Sequence, residues 1–189
     1  MREGQVVQVE ILPEHPAAAS EHLSAFAPAH AGDAGIDLVA CEDVVLRPGE
    51  RAAVSAGIRI ALPAGLEAQV RPRSGQALTR GLTVLNTPGT IDSGYRGVVR
   101  VILLNANPGL TAEDLDGAPE TLAHRLAAGL ESRSVRIRRG ERIAQLVFAR
   151  FVRPDCELVG RVDRDTGRGE GGFGSTDESG RFARPPLAE

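Results

Sequence analysis

Apolar residues along the chain fall in short runs cut by glycine and proline, not in long helical stripes. Ile36–Ala40, Val44–Leu46, Ala52–Ile60, Leu66–Val70, Leu82–Leu85 and Val98–Leu104 each read as a strand. Pro48-Gly49, Pro63-Ala64-Gly65 and Pro88-Gly89 supply turn chemistry between them. A second set follows at Ser134–Arg138, Ile143–Val152 and Leu158–Val162, and a short run within Gln5–Leu12, ended by Pro13, opens the chain. Residues 14–31, rich in Ala, His and Pro, read as a surface excursion. Strands at this spacing predict an all-β sandwich, jelly roll or barrel in place of βαβ units.

One segment breaks the β rhythm. Within residues 111–130, Leu122, Leu126 and Leu130 recur at helical spacing, with Pro119 placed for a first helical position and Gly129 near the end. A helix of about eleven residues is marginal by itself, so this insert reads first as a polar excursion between strands, with docking to a partner as the alternative. After Val162 the composition shifts to Arg, Asp, Gly, Ser and Thr, which predicts a mobile tail over 164–189 behind one β domain over 1–163.

Composition narrows the chemistry. The 189 residues suit one domain. All 22 basic residues are arginine, so P-loop, Schiff-base and pyridoxal-phosphate lysines are excluded. Phosphate chemistry here must use arginine forks, backbone N–H groups or a metal. A net charge of −3 and few aromatics argue against nucleic-acid binding. No apolar run is long enough to span a membrane, and the N-terminus lacks the apolar stretch of a secretory signal. Cys41 and Cys156 belong to no C-x-x-C and suit small buried residues in a reducing, cytoplasmic setting. His15, His22, His30 and His124 lie outside every candidate motif, and zinc ligation has little support.

Arg71-Pro72-Arg73-Ser74-Gly75 offers a charged fork, a hydroxyl donor and an unobstructed backbone N–H, a set suited to a polyphosphate. By itself the pentapeptide also reads as a turn with solvated arginines. Asn86 to Gly97 follows. Its Asn86 can pair with a pyrimidine edge, Asp92 can hold and deprotonate a water, and Tyr95 can pack on a sugar and exclude a 2′-hydroxyl. Asp92 as an Asx-turn residue and Tyr95 as a turn aromatic are the plainer alternatives. Arg168 to Thr176 combines glycines with one Arg and one Phe, so a base could stack on Phe173 while Arg168 reaches its phosphates.

These residues resemble the trimeric deoxyuridine triphosphate nucleotidohydrolases (dUTPases) over about residues 31–177. The likeness runs through five segments in the family's order: Ala31–Leu38, Pro72–Gly75, Asn86–Gly97, Arg139–Leu146 and Arg168–Thr176. The resemblance implies a jelly-roll-like, distorted-barrel β subunit with a helical insert near 109–133, a tail that closes over the site, and a homotrimer with shared sites. It implies dUTP as substrate and Mg²⁺ as cofactor, with dUMP and pyrophosphate as products. That reaction supplies dUMP for thymidylate synthesis and keeps uracil out of DNA.

Asp92 is then the general base aimed at a water attacking the α-phosphorus. Asn86 and the backbone of Thr90 and Ile91 read the uracil, and Tyr95 screens the deoxyribose. Arg73, Ser74, Gly75 and Gln145 bind phosphates, and Arg100 contributes through its backbone. From the tail, Arg168 meets the γ-phosphate, Phe173 covers the uracil and Gly174 belongs to the same contact. Asp37 acts behind the metal through water. Val98 stands where many members carry an acid, and the connection from Leu104 to Arg139 is longer than usual.

A deoxycytidine triphosphate deaminase, or a bifunctional enzyme of that superfamily, shares the fold. Deamination needs an acid near the cytosine amine, and none occurs between Asp92 and Glu113. A non-catalytic dUTP-binding regulatory trimer is the rival from outside enzymes.

Overall fold

The computed structural model describes residues 6–17, 26–115, 119–164 and 166. It divides into two units, Met1–Val152 and Arg153–Glu189. The first holds every strand and helix described. Its strands are β1 (Gln8–Ile11), β2 (Gly35–Val39), β3 (Val44–Leu46), β4 (Arg51–Ser55), β5 (Ile58–Ala61), β6 (Leu66–Arg71), β7 (Leu82–Val84), β8 (Gly89–Ile91), β9 (Arg100–Asn105), β10 (Val135–Ile137) and β11 (Arg142–Arg150). Helix α1 (Ser74–Arg80) lies between β6 and β7, and α2 (Ala112–Leu115) and α3 (Pro119–Ser132) lie between β9 and β10.

Every pairing is antiparallel, in four small sheets ordered β1-β5, β10-β3, β2-β11-β6-β8 and β4-β9-β7. This is a jelly-roll-like β subunit, one of the all-β architectures the strand spacing allows and the one the family resemblance implies. Alternation is plain in β6, where Leu66, Ala68 and Val70 are buried while Glu67, Gln69 and Arg71 are not. The same period in β5, β7, β9 and β10 sends Ile58, Ile60, Leu82, Val84, Val101, Leu103, Val135 and Ile137 into one shared core. The polar partners of that alternation face outward, and one such outer face carries the site.

Four departures from the sequence expectation have local causes. The run Ala52–Ile60 is two strands, β4 pairing with β9 and β5 with β1. The corner is Gly57 at φ +61°, where a Cβ would lie 2.4 Å from the Cys41 Sγ and 3.0 Å from the His15 Cβ. Leu158–Val162 is not a strand: no ladder partner lies among the described residues, and its apolar side chains are exposed. Cys156 shares that stretch and is exposed, whereas Cys41 is buried as expected. His15, expected in a surface excursion, is buried against the core with its ring near Phe26, and its Nδ1 accepts the Ala17 N–H at 3.0 Å.

The insert contains two helices, and α3 is longer than the leucine spacing alone suggests. Its return to the core is pegged by Asn105, which is fully buried. The Asn105 Nδ2 donates to the carbonyls of Leu46 and Arg133 at 2.9 Å each, and its Oδ1 accepts the Asn107 N–H at 3.0 Å. Arg133 in turn pairs with Asp114 of α2 at 2.7 Å, and this guanidinium, with the Thr111 N–H, holds the Asp114 carboxyl well below the usual carboxylate range. Among the described residues no helix is long and apolar enough to cross a membrane.

Candidate functional site

A cleft of about 960 Å³ opens on the outer face of the β2-β11-β6 ladder, within the size range of small-molecule sites. Three of the sequence segments meet there. Asp33, Gly35 and Asp37 come from the first, Arg73, Ser74 and Gly75 from the second, flanked by Arg71 and Gln76, and Arg142 and Gln145 from the fourth. Register explains the convergence: Gln145 of β11 lies opposite Asp37 of β2 on one side and Arg71 of β6 on the other. The cleft lining carries Arg71, Arg73, Arg80 and Arg142 against Asp33 and Asp37, so an acidic chain presents a basic cleft.

Arg73 precedes α1 in extended conformation (φ −95°, ψ 130°), and no side chain caps the helix start. The N–H groups of Ser74 and Gly75 in the first turn therefore have no side-chain acceptor and stand open at the cleft. A Cβ on Gly75 would meet nothing within 4 Å, so the approach to that turn is open. Gln145 donates from Nε2 to the Pro72 carbonyl at 2.9 Å, and a Cβ on Gly35 would come within 2.3 Å of its Oε1. Gly35 thus makes room for the glutamine that braces the turn.

Asp37 joins two cations. The Arg73 Nε lies 3.1 Å from its Oδ1, and the Arg142 Nε lies 3.5 Å from its Oδ2. Arg142 is not singled out by sequence, for a physical reason. In a regular strand, residues three apart face opposite sides, which would separate Arg142 from Gln145. A bulge between Arg142 and Ala144 adds a residue, buries Ile143 and Ala144 together, and brings Arg142 to the cleft with Gln145. Helix α1 also escapes a reading of the sequence. It buries no residue and so has no apolar stripe, and its visible signals are Arg80 in the last turn and Gly81 at φ +64° closing it.

The third segment lies elsewhere. Asn86, Thr90, Asp92 and Tyr95 are not buried in the core, while Ile91 faces it. Strand β8 pairs with β6 so that Ile91 sits opposite Ala68 and Gly89 opposite Val70. Asp92 therefore continues toward the Glu67 end of β6, and Arg73 follows the other end. Six residue positions separate the two levels, roughly 20 Å at about 3.3 Å per residue. None of Asn86, Thr90, Asp92 and Tyr95 lines the cleft.

The Asp92 turn is tightly built. The Tyr95 N–H donates to the Asp92 carbonyl at 3.0 Å, and the Tyr95 hydroxyl donates to the Val98 carbonyl at 3.1 Å. The Arg96 Nη1 donates to the carbonyls of Ser93 and Tyr95 at 2.7 Å each. A Cβ on Gly97 would come within 2.3 Å of the Tyr95 hydroxyl oxygen, so the ring lies directly over that glycine. Val98, at the position where many family members carry an acid, serves through its carbonyl. Arg100 starts β9 opposite Ser55 in the three-stranded sheet, outside the cleft. Arg168, Phe173 and Gly174 lie outside the described residues.

The dUTPase family model matches residues 21–109 and 127–177, spanning every segment just described and stepping over part of the insert. The chain belongs to the dUTPase family. A deoxyuridine 5′-triphosphate nucleotidohydrolase of Thermobifida fusca is 49% identical over 78% of this chain and 69% of its own length. One from Nocardia farcinica is 45% identical, over 78% of this chain and 75% of its own. Among solved structures, the Staphylococcus bacteriophage 80alpha dUTPase with dUPNHPP superposes with a TM-score of 0.69. Its sequence identity is 28%, over 91% of this chain and 98% of the phage chain.

A Mg²⁺ requirement, general in this dUTPase family, can be checked against the donor set. Among the described residues no group of three or more His, Cys, Asp or Glu side chains gathers. Asp37 is a carboxylate at the mouth of a basic cleft. That set fits an ion carried chiefly by substrate phosphates and water, with few protein ligands.

Proposed function

We propose that this chain hydrolyses dUTP to dUMP and pyrophosphate in a homotrimer whose sites are shared between subunits. One observation carries the reading: the basic cleft and the Asp92–Tyr95 turn are both fully formed, yet stand roughly 20 Å apart along β6 of one chain. A triphosphate held at Arg73 would not present its α-phosphorus to a water at Asp92 of the same chain. A neighbouring copy supplying its own Asp92 turn resolves the separation, and a closed trimer does so three times.

In the assembled site, Arg73, the first-turn N–H groups of Ser74 and Gly75, and Gln145 bind the phosphates. Asn86 and the backbone of Thr90 and Ile91 take the uracil edge. Tyr95, pinned over Gly97, closes the space a ribose 2′-hydroxyl would need. Asp92 accepts the proton of a water as its oxygen attacks the α-phosphorus, and the bond to the bridging oxygen breaks with pyrophosphate leaving. Mg²⁺ carried on the triphosphate would supply charge neutralisation there, and Asp37 would hold it through water. The tail of a third subunit would bring Arg168 to the γ-phosphate and Phe173 and Gly174 over the uracil, excluding bulk water. The product feeds thymidylate synthesis, and removal of dUTP keeps uracil out of DNA.

A nucleotide panel with Mg²⁺, read for both pyrophosphate and ammonia, tests this. Pyrophosphate is expected from dUTP and far less from dCTP, dTTP or UTP, with no ammonia. Equal turnover of UTP would refute the role given to Tyr95. Ammonia from dCTP would place the chain with the deaminases, and a silent panel with retained dUTP binding would make it a regulatory binder.

A further inference from the structure

Helix α1 presents the phosphate-binding turn, yet nothing apolar holds it in place. Its seven residues bury no side chain, Leu78 is 88% exposed, and a helix of that length has no stability of its own. Polar side chains seat it instead. Arg80, in its last turn, forks from Nη1 to the Glu141 carboxylate and from Nη2 to the Arg136 carbonyl of β10. The same Nη1 reaches back to the Gln76 Oε1 at 3.1 Å. Gln76 donates to the Arg142 carbonyl at 3.1 Å and to the Glu141 Oε1 at 3.3 Å.

Glu141 is itself fixed, because its Oε2 accepts the Arg138 N–H at 3.0 Å across the turn between β10 and β11. On the far side, Asn107 donates to the Arg80 carbonyl at 2.9 Å. Arg80 and Glu141 side chains are 30% and 24% exposed, so the cluster is shielded without being sealed.

From this we infer that Arg80, acting with Gln76 and Glu141, is a positioning unit for the triphosphate: it sets the angle of α1 and hence the aim of Ser74 and Gly75 at the anion. The role rests on the dUTP reading above. Arg80 lines the cleft, but both of its terminal nitrogens are engaged, by Glu141 and Gln76 on one and the Arg136 carbonyl on the other, so its part is to hold the helix. Because α1 is only about two turns long, a change in how Arg80 seats its C-terminal end reaches the N-terminal amides. Lysine could keep the Glu141 contact but not the fork to two acceptors.

The test uses full-length Arg80→Met, Arg80→Lys, Gln76→Leu, Glu141→Gln and the Arg80→Met/Glu141→Gln double variant. Two probes are titrated, inorganic pyrophosphate and a non-hydrolysable imido analogue of dUTP, alongside KM, kcat and thermal melting. Arg80→Met is expected to weaken both probes about tenfold, with the catalytic loss falling mainly on KM. Glu141→Gln should behave alike, and the double variant should be no worse than about the weaker single, because the residues act as one unit. Arg80→Lys should recover part of the affinity.

Unchanged affinity in folded Arg80→Met, a double variant whose losses multiply, or a fall in kcat alone would overturn the role. Should Arg80→Met not fold, Gln76→Leu decides: affinity lowered several-fold supports the unit, and affinity unchanged overturns it. If the wild type binds neither probe, the dUTP reading and this role fall together. If the wild type binds both, only the positioning role is at stake.

Discussion

The separation between Arg73 and Asp92 makes a quantitative prediction about mixed oligomers. Asp92→Asn removes the general base, and loss of such a group typically costs about 10²–10⁴ in rate. Arg73→Ala removes charge-assisted hydrogen bonds worth about 1.5–3 kcal/mol, roughly ten- to a hundredfold in kcat/KM. Each parent trimer is therefore left with about a tenth of wild-type activity or much less. The two lesions lie roughly 20 Å apart in one chain, on opposite ends of β6. If each site takes Arg73 from one copy and Asp92 from the next, trimers assembled from an equal mixture rebuild intact sites.

The arithmetic for a cyclic trimer is short. A site is intact when the Asp92 donor is an Arg73→Ala chain and the Arg73 donor is an Asp92→Asn chain, about one half times one half, or about a quarter of sites. The assay is pyrophosphate release at dUTP well below KM, from subunits co-refolded at equal ratio, against each parent refolded alone. Recovery near a quarter of wild type is expected. A mixture no more active than the mean of its parents would refute the shared site and with it the assembly proposed here.

Other outcomes follow from particular contacts. Asn105→Ala leaves the buried Leu46 carbonyl and Asn107 N–H without their side-chain partner and weakens the tie to Arg133. The expected cost is about 2–4 kcal/mol, seen in urea unfolding as a lowered midpoint with unchanged slope; a loss under about 0.5 kcal/mol would show that the peg is dispensable. Gly35→Ala drives a methyl into the Gln145 Oε1, the free end of a flexible side chain. The fold should survive with the melting temperature nearly unchanged while dUTP affinity drops several-fold, and unchanged affinity would remove Gln145 from the phosphate site.

His15 gives a pH dependence. Burial lowers its pKa below the ordinary 6.5, only partly offset by Glu14. Between 6.5 and that lower folded value the unfolded chain takes the proton first, so stability falls as pH drops through the window and is fully present above it. His15→Asn should flatten the slope of stability against pH there, and an unaltered slope would locate the titration elsewhere.

Most strands were legible because they are short aliphatic runs bounded by turn residues; β8 was not, because Gly89-Thr90-Ile91 follows Pro88 and reads as turn chemistry until β6 supplies its partner. The errors came where one local pattern served two neighbours. Ala52–Ile60 looks continuous because its apolar run does not pause, and the change of sheet lies in the positive φ of Gly57 and the Cys41 thiol beneath it. Helix α1 carries no amphipathic pattern because hydrogen bonds from Gln76 and Arg80 hold it in place of burial. Leu158–Val162 has strand composition, but a strand needs a neighbour's edge, and composition does not supply one.

For the site, sequence alone determined the chemistry on offer: arginine in place of lysine for phosphate, one acid in the Asp92 turn, a glycine-lined tyrosine, and the family to which these belong. Those are properties of side chains and of local backbone, written residue by residue. Only the tertiary structure decided which of them stand together. It brought Arg142 beside Gln145 through a bulge, made Asp37 the counter-ion of two arginines, and set Asp92 at the far end of β6 from Arg73. Strand register is a long-range choice, set by how the buried faces of separate strands fit one core. Distances between segments far apart in the chain depend on that fit, and no local pattern contains it.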